Sequence, residues 1–167
     1  MKISPGFTIL LGLFIISVLL TSCFNSQKNT ETDLNRRLNE LEGLYKKIEV
    51  IETNVSFRLE FLYLEITKKP PNFSAIEKAI GEYNSVFQTE SEFVGIFSQR
   101  FKTMNQILIQ NKKIMSKKYF NTFSPRYSKV RVMGSKLREE RDIRLEKALE
   151  VDKYLEEIIP PELLPVK

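Results

Sequence analysis

The side chains that commonly carry catalysis are scarce in this chain. Among its 167 residues there is one cysteine, Cys23, and no histidine. The sequence therefore offers no histidine general base, no Ser-His or Cys-His nucleophile pair and no histidine metal ligand. Adjacent carboxylates occur at Glu139-Glu140 and Glu156-Glu157, but neighbouring residues point to different faces of a helix. No glycine-rich phosphate-binding motif is present, and we expect no enzyme activity, no cofactor and no bound metal.

The single cysteine follows an apolar N-terminal segment. A lysine at position 2 precedes a mainly apolar run over residues 7–20, and small residues come directly after it. A helix of this run would span about 21 Å at ~1.5 Å per residue, which is shorter than the ~30 Å hydrocarbon core of a bilayer. The length favours cleavage over an uncleaved transmembrane anchor. We therefore expect residues 1–22 to be a secretory signal peptide.

The four residues Leu20-Thr21-Ser22-Cys23 resemble the lipobox of bacterial lipoproteins. The resemblance implies cleavage before Cys23, a diacylglycerol on its thiol and a fatty acid such as palmitate on the new amino group. Two or three acyl chains anchor a protein stably, whereas one chain holds it only marginally. The resemblance thus predicts a lipid-anchored protein of the bacterial cell envelope, with the outer membrane favoured in a Gram-negative host because no aspartate follows Cys23. The alternative is an unmodified thiol behind an ordinary signal peptide.

The chain beyond the cysteine has the spacing of packed helices. Residues 25–30 are polar and small, so we expect residues 23–30 to form a lipidated tether and residues 31–167 a single helical domain. A first helix is predicted at about 31–69, with an apolar seam in alternating steps of four and three: Leu34, Leu38, Leu41, Tyr45, Ile48, Val55, Leu59, Leu62 and Ile66. Glu52 occupies the one interrupted position. A seam sustained over four heptads is typical of coiled-coil packing.

Additional apolar residues widen the far part of this first helix. They predict an end that is enclosed on several sides, and they are Phe57, Phe61, Tyr63 and Leu64.

Two further helices are predicted, at about 74–119 and 125–159. A capping-box pattern opens the first at Ser74, and Ser124-Pro125 suits the start of the second. Glu90 and Asn111 interrupt the seam of the middle helix, either because they fix its register or because no partner helix covers them. Since short connections make consecutive helices antiparallel, the fold class is all-α: an elongated antiparallel three-helix bundle with coiled-coil-like heptad packing.

Basic residues are concentrated in one stretch without any Asp or Glu, from Phe93 to Arg138, whereas the segments on either side carry net negative charge. The predicted contact surface is the basic hairpin 100–138, with Arg100, Lys102, Lys112, Lys113, Lys117, Lys118, Arg126, Lys129, Arg131, Lys136 and Arg138. In an up-down-up bundle this hairpin returns to the anchored end. Each Lys or Arg near anionic lipid gains on the order of 1 kcal/mol, and the aromatic side chains Tyr119, Phe120 and Phe123 suit a membrane interface.

The same pattern has simpler interpretations. Basic residues can cover a solvated face that neighbouring helices neutralise, and the aromatic residues can close the end of the bundle. No nucleic-acid partner is expected for an exported protein. We therefore interpret the chain as a membrane-anchored envelope lipoprotein with a helical scaffold or binding domain, whose partner is anionic lipid or another envelope protein. The alternatives are a surface-exposed lipoprotein that captures a host protein or polyanion, and a structural coiled-coil oligomer with seams paired between chains.

Overall fold

Three long helices form the part of the chain that the computed structural model describes, residues 5–158, with side chains described from residue 25 onward. Helix α1 spans Pro5–Thr67, α2 spans Phe73–Asn111 and α3 spans Lys117–Ile158. No strand occurs among these residues. The chain is an all-α three-helix bundle, as its heptad spacing predicts.

Ion pairs between the helices establish their relative directions. Arg100, late in α2, pairs with Glu40 in the first half of the described side chains of α1, at 3.3 Å. Arg126, early in α3, pairs with Glu42 in the same region at 3.0 Å. The end of α2 and the start of α3 therefore lie beside one part of α1. Farther along α1, Arg58 pairs with Glu82 of early α2, so α2 runs antiparallel to α1. Glu52 pairs with Arg144 of late α3, so α3 runs parallel to it.

The predicted apolar seam of α1 is the centre of the bundle. All nine of its apolar residues are buried. They belong to two apolar clusters. We call the first the basic-end core; it joins Leu34–Ile48 of α1 to the second half of α2 and the first half of α3. The second, the far-end core, joins Val55–Ile66 to the start of α2 and to Val151 of α3.

The boundary between α2 and α3 differs from the predicted one. Helix α2 ends at Asn111 and not near residue 119, and α3 begins at Lys117 and not at residue 125. Ser116 caps α3, because its hydroxyl oxygen accepts a hydrogen bond from the backbone N–H of Tyr119 at 3.1 Å. Pro125, expected at the helix start, lies inside α3. Burial of the aromatic side chains in the preceding turns offsets the ~3 kcal/mol that an internal proline costs.

The expected tether at residues 23–30 is also helical, because α1 is continuous through it. Side-chain bonds at helical spacing support this segment. The amide of Gln27 donates to the carboxylate of Glu31, one turn later, at 3.0 Å, which is a favourable i,i+4 pair. The segment is therefore not an extended linker, because these small polar residues satisfy one another along a helix.

The start of α2 is capped two residues earlier than predicted. The side-chain oxygen of Asn72 accepts a hydrogen bond from the backbone N–H of Ala75 at 3.2 Å, so Asn72 is the N-cap and Ser74 lies within the helix. Asparagine is as strong a cap as serine, and the earlier of the two residues starts the helix.

The far end of α1 is less enclosed than its sequence predicts. Phe57 is 60% exposed and Leu64 is 53% exposed, and Phe61 and Tyr63 are exposed as well. Phe57 and Leu64, together with Val50, recur every seven residues on the side of α1 that faces away from the seam. The three-helix bundle covers one side of α1 only, and the opposite side keeps an apolar stripe in contact with solvent.

Candidate functional site

The connection between α2 and α3 lies against the early part of α1. The backbone N–H and the hydroxyl of Ser116 both donate to one carboxylate oxygen of Glu31, each at 2.9 Å. The hydroxyl of Tyr119 donates to the side-chain oxygen of Asn35 at 3.4 Å. Residues 31–35 follow the N-terminal part of α1 directly. The basic hairpin is therefore at the end of the bundle nearest to the N-terminal segment.

The electrostatics of this junction match its hydrogen bonds. Burial disfavours a charge on Glu31, but the hydrogen bonds from Ser116 and Gln27 outweigh it and lower the pKa of this carboxyl. Burial, together with the nearby charge of Glu31, raises the pKa of Tyr119. The carboxylate is thus stabilised as an acceptor and the phenol as a donor, so the junction is a fixed support for the basic residues around it.

Three of the eleven predicted contact residues are engaged in ion pairs within the bundle. Arg100 pairs with Glu40, and Arg126 holds both Glu42, at 3.0 Å, and the side-chain oxygen of Asn39, at 2.7 Å. The third, Lys136, pairs on its own helix with Glu140 at 3.3 Å. The two arginines fasten α2 and α3 to α1. Their charge is partly neutralised, which the sequence pattern alone does not reveal.

The other eight basic side chains form no ion pair with the described residues, and all eight are exposed. They are Lys102, Lys112, Lys113, Lys117, Lys118, Lys129, Arg131 and Arg138. Four of them, at positions 112, 113, 117 and 118, surround the α2–α3 connection, and we call these four the tip lysines. The ammonium group of Lys112 lies 5.8 Å from the ring centroid of Phe120, within cation–π range. The tip therefore has uncompensated positive charge at its surface.

The aromatic residues near the tip have two different positions. Tyr119 and Phe123, predicted to suit a membrane interface, are buried in the basic-end core, and that prediction was wrong for both. Phe123 stacks between Tyr119 and Tyr127, with ring centroids 5.4 and 6.0 Å away. Their spacing along α3 directs them toward the other helices, where they close the end of the bundle. Phe120 is half-buried and stays near the surface.

A second cluster consists of charged side chains inside the bundle. Glu52 and Glu90 interrupt two of the predicted apolar seams, whereas Arg144 of α3 is not among the predicted site residues. Arg144 is buried and donates from one guanidinium nitrogen to Glu52, at 3.0 Å, and to Glu90. One residue from each helix thus forms an ionic layer between the basic-end and far-end cores. The signal that could have found Arg144 is its position in the seven-residue spacing of Val130, Leu137 and Val151.

The ionic layer borders a groove between α1 and α3. Two clefts, of about 400 and about 370 Å³, share Ser56, Arg144 and Lys147 in their walls. Glu52 and Glu140 both line the larger cleft. The pKa of Glu52 is raised to about 7, because burial and the neighbouring Glu140 disfavour its charge more than Arg144 favours it. The groove therefore contains a carboxyl group that titrates near neutral pH.

Cys23, the predicted lipidation site, lies outside the residues whose side chains the structure describes. Among the described residues, no helix is long and apolar enough to cross a membrane. No group of three or more potential metal-ligating side chains is found in that part of the chain.

In comparisons with known proteins, no family model, curated protein or solved structure gives a significant match to this chain. The candidate site therefore rests on the geometry and charge described above, and the basic surface is its best-supported part.

Proposed function

We propose that the chain is a bacterial cell-envelope lipoprotein, anchored through Cys23, whose helical domain is a scaffold that rests its basic end on anionic lipid headgroups. The observation that carries the proposal is the location of the tip lysines. The α2–α3 connection is hydrogen-bonded to Glu31 of α1, eight residues after Cys23 in the sequence. An anchor at Cys23 would thus bring the unpaired lysines to the membrane surface.

The energetics favour such a contact. Each Lys or Arg close to an anionic surface gains on the order of 1 kcal/mol, and the gain falls off within a Debye length of ~8–10 Å. The contributions of Arg100 and Arg126 are reduced by their ion pairs with α1. The four tip lysines have no such partner among the described residues, and they are the main contributors to the proposed contact.

The anchor is tested by membrane fractionation of cells that express the full chain. We expect the wild type in the membrane fraction and Cys23→Ser in the soluble fraction or as unprocessed precursor, because no thiol remains for acylation. Ser22→Ala is the control, since it keeps a small residue before the cysteine. Unchanged fractionation and processing of Cys23→Ser would refute the lipoprotein assignment.

The basic surface is tested by photocrosslinking in cells from position 118, with position 153 of α3 as the control. Both residues are exposed lysines on α3, but Lys153 lies at the opposite end of the bundle. Lipid adducts from position 118 alone would support the proposal. Equal lipid adducts from both positions, or none from either, would contradict it. A single protein adduct from position 118 would replace lipid by a protein partner.

Two matched variants distinguish the effect of the tip lysines from the effect of the total positive charge. In one, the four tip lysines are changed to glutamine. In the other, four exposed lysines outside the basic stretch are changed to glutamine: Lys46, Lys47, Lys69 and Lys153. With the crosslinker placed at Phe120 in both variants, we expect the first to lose lipid adducts and the second to keep them. Equal loss in both would mean that total charge, and not the tip, governs the contact.

A structural oligomer is a second candidate, favoured by the apolar stripe on the outer side of α1. Val50, Phe57, Phe61 and Leu64 are exposed and follow one another in steps of seven, four and three, the spacing of a second coiled-coil seam. The inner seam is covered within one chain, so self-association would use this outer stripe. Sedimentation of the full chain in detergent separates the cases: concentration-dependent mass that Phe57→Ser abolishes supports an oligomer, and a strict monomer excludes it.

A further inference from the structure

The ionic layer interrupts an otherwise apolar interior at one level of the bundle. Glu90 is fully buried, and Glu52 and Arg144 are 5% and 7% exposed. A single guanidinium nitrogen of Arg144 serves both carboxylates. The second carboxylate oxygen of Glu90 and the Nε of Arg144 have no hydrogen-bond partner among the described residues. The hydrogen-bonding groups of the layer are therefore incompletely paired. An uncompensated charge on one of these buried groups destabilises the folded state strongly.

The formal charges around the layer do not balance. In the triad itself, two carboxyl groups face one guanidinium. The surrounding charged and titratable side chains come from all three helices, and they are Glu49 of α1, Tyr83 of α2, and Lys136, Glu140 and Lys147 of α3. Glu140 is held by Lys136 at 3.3 Å, so this lysine does not offset Glu52. With every acid ionised, the triad carries one net negative charge in a water-poor environment.

The C-terminal half of α3 is the part of the bundle that can move most easily when Glu52 becomes charged. Beyond Arg144, α3 is flanked by a cleft of about 370 Å³ toward α1 and by another of about 280 Å³ toward α2. In the described residues of this segment, Val151 is the only apolar residue that is buried. Water can reach Glu52 by a small movement of α3 away from α1, because the larger groove at the layer already lies between these two helices.

We propose that the ionic layer is a proton-operated latch: a proton on Glu52 keeps residues 144–158 of α3 docked, and its loss lets this segment move away from α1. The protonated layer is electrically neutral and buries no unpaired charge. When Glu52 is ionised, contact with water stabilises its charge. Water reaches Glu52 only when α3 moves away from α1. The basic-end core, on the other side of the layer, stays closed in both states because its aromatic packing and the Glu31–Ser116 junction do not depend on Glu52.

The direction of the pH dependence follows from linkage. The pKa of Glu52 is raised from 4.5 to about 7 in the folded protein, so the docked state binds the proton more tightly than the open state does. Docking is strongest below about pH 4.5, weakens as the pH rises toward about 7, and is constant above that value. One unit of pKa shift corresponds to tenfold in an equilibrium constant. We expect an effect of at least about tenfold over the whole window.

Hydrogen exchange of the full chain in mild detergent tests the latch, from about pH 5 to about pH 8, with rates corrected for the intrinsic pH dependence of exchange. We expect protection of residues 144–158 to fall by at least about tenfold, while protection of residues 119–137 stays constant. Constant protection of both segments would overturn the proposal. An equal fall in both would overturn it too, because it would report global stability and not a local latch.

Two variants assign the effect to Glu52. Glu52→Gln keeps a hydrogen-bonding group of the same size but cannot ionise, so the pH dependence of residues 144–158 should disappear. Glu49→Gln is the matched control, because Glu49 lies one turn earlier on α1, is exposed and lines the same cleft. A pH dependence that persists in Glu52→Gln would reject the assignment.

Glu140→Gln gives a second readout that does not depend on the folding of Glu52→Gln. Glu140 raises the pKa of Glu52 through a hydrogen bond and through its charge. Removing that charge should lower the pKa of Glu52 in the docked state, so the loss of protection should end at a lower pH and its size should decrease. A loss of unchanged or larger size would contradict the latch.

Discussion

The two apolar cores of this bundle differ in size and in how closely their side chains pack. The basic-end core holds a run of stacked aromatic rings from Phe97 through Phe101 and Tyr127 to Phe123, and the α2–α3 connection is hydrogen-bonded to α1 beside it. The far-end core is smaller, and α1 exposes Phe57 and Leu64 there. The difference indicates one rigid end and one adaptable end, separated by the ionic layer.

The two regions also respond to acid in opposite directions. The pKa of Glu31 is lowered by its hydrogen bonds, so its contribution to stability is present above the unfolded value of about 4.5 and is lost as the pH falls through the folded value. The pKa of Glu52 is raised to about 7, so its contribution is lost as the pH rises toward that value. Acid therefore weakens the basic end, and a rise in pH toward about 7 weakens the far end.

The largest expected effect compares two phenylalanines. Phe123 is 1% exposed in the basic-end core, and Phe57 is 60% exposed near the far end. We expect Phe123→Ala to lower the free energy of unfolding by about 4 kcal/mol, and Phe57→Ala to change it by less than about 0.5 kcal/mol. Urea titration of the full chain in mild detergent, followed by circular dichroism, measures both. Similar losses in the two variants would refute the assignment of a covered and an uncovered face.

The next effect concerns the layer between the two cores. Arg144→Met removes the only cation of the triad and leaves two buried carboxyl groups, so we expect a loss of about 3 kcal/mol at neutral pH. The same urea titration measures it. Replacing the whole triad, with Glu52→Leu and Glu90→Leu added, should restore stability to the wild-type value or above it. If the triple variant is as unstable as Arg144→Met alone, the three side chains do not act as one layer.

Much of this fold was predictable because the inner seam of α1 is a local pattern. Every apolar seam residue of α1 is buried, and the heptad steps that predicted it need no knowledge of the other helices. The exposed stripe at Phe57 and Leu64 was not predictable in the same way. Periodicity identifies an apolar side, but it does not tell how many partner helices cover it.

The start of α3 and the state of the basic residues depend on contacts between distant parts of the chain. Ser116 is positioned by Glu31, 85 residues earlier, whereas Ser124 and Pro125 carry the stronger local signal. The ion pairs of Arg100 and Arg126 with α1 need the rotation of each helix about its axis, which sequence does not supply. The concentration of basic charge at one end was predicted from the sequence, but which of these charges remain unpaired was not.

A smaller effect is expected at the α2–α3 connection. Ser116→Ala removes the cap of α3 and one of the hydrogen bonds to Glu31, so we expect a loss of about 1 kcal/mol. The pKa of Glu31 should also rise toward its usual value, which makes the variant less sensitive to acid than the wild type. Urea titrations at neutral and acidic pH test both statements. Ser128→Ala, at an exposed serine inside α3, is the control and should leave stability and acid sensitivity unchanged.

The smallest expected effect on stability comes from adding one methyl group, as a Gly→Ala change, at each end of the bundle. Its size compares how closely the two ends are packed. At Gly81 of α2, on the far-end side, a Cβ atom would meet nothing within 4 Å, whereas at Gly134 of α3 it would lie 3.2 Å from a ring carbon of Phe97 in the basic-end core. Alanine in place of a helical glycine stabilises by up to about 1 kcal/mol when space is available. We therefore expect Gly81→Ala to gain about 0.5–1 kcal/mol.

Gly134→Ala should gain nothing, because the ring of Phe97 must shift to admit the methyl group and the strain cancels the helix propensity. Gly95→Ala separates packing from location, since Gly95 belongs to the basic end of α2 but also has open space around it. It should behave as Gly81→Ala does. If Gly134→Ala gains as much as the other two, the basic end is not packed more tightly than the far end, and the contrast between a rigid end and an adaptable end fails at its most sensitive point.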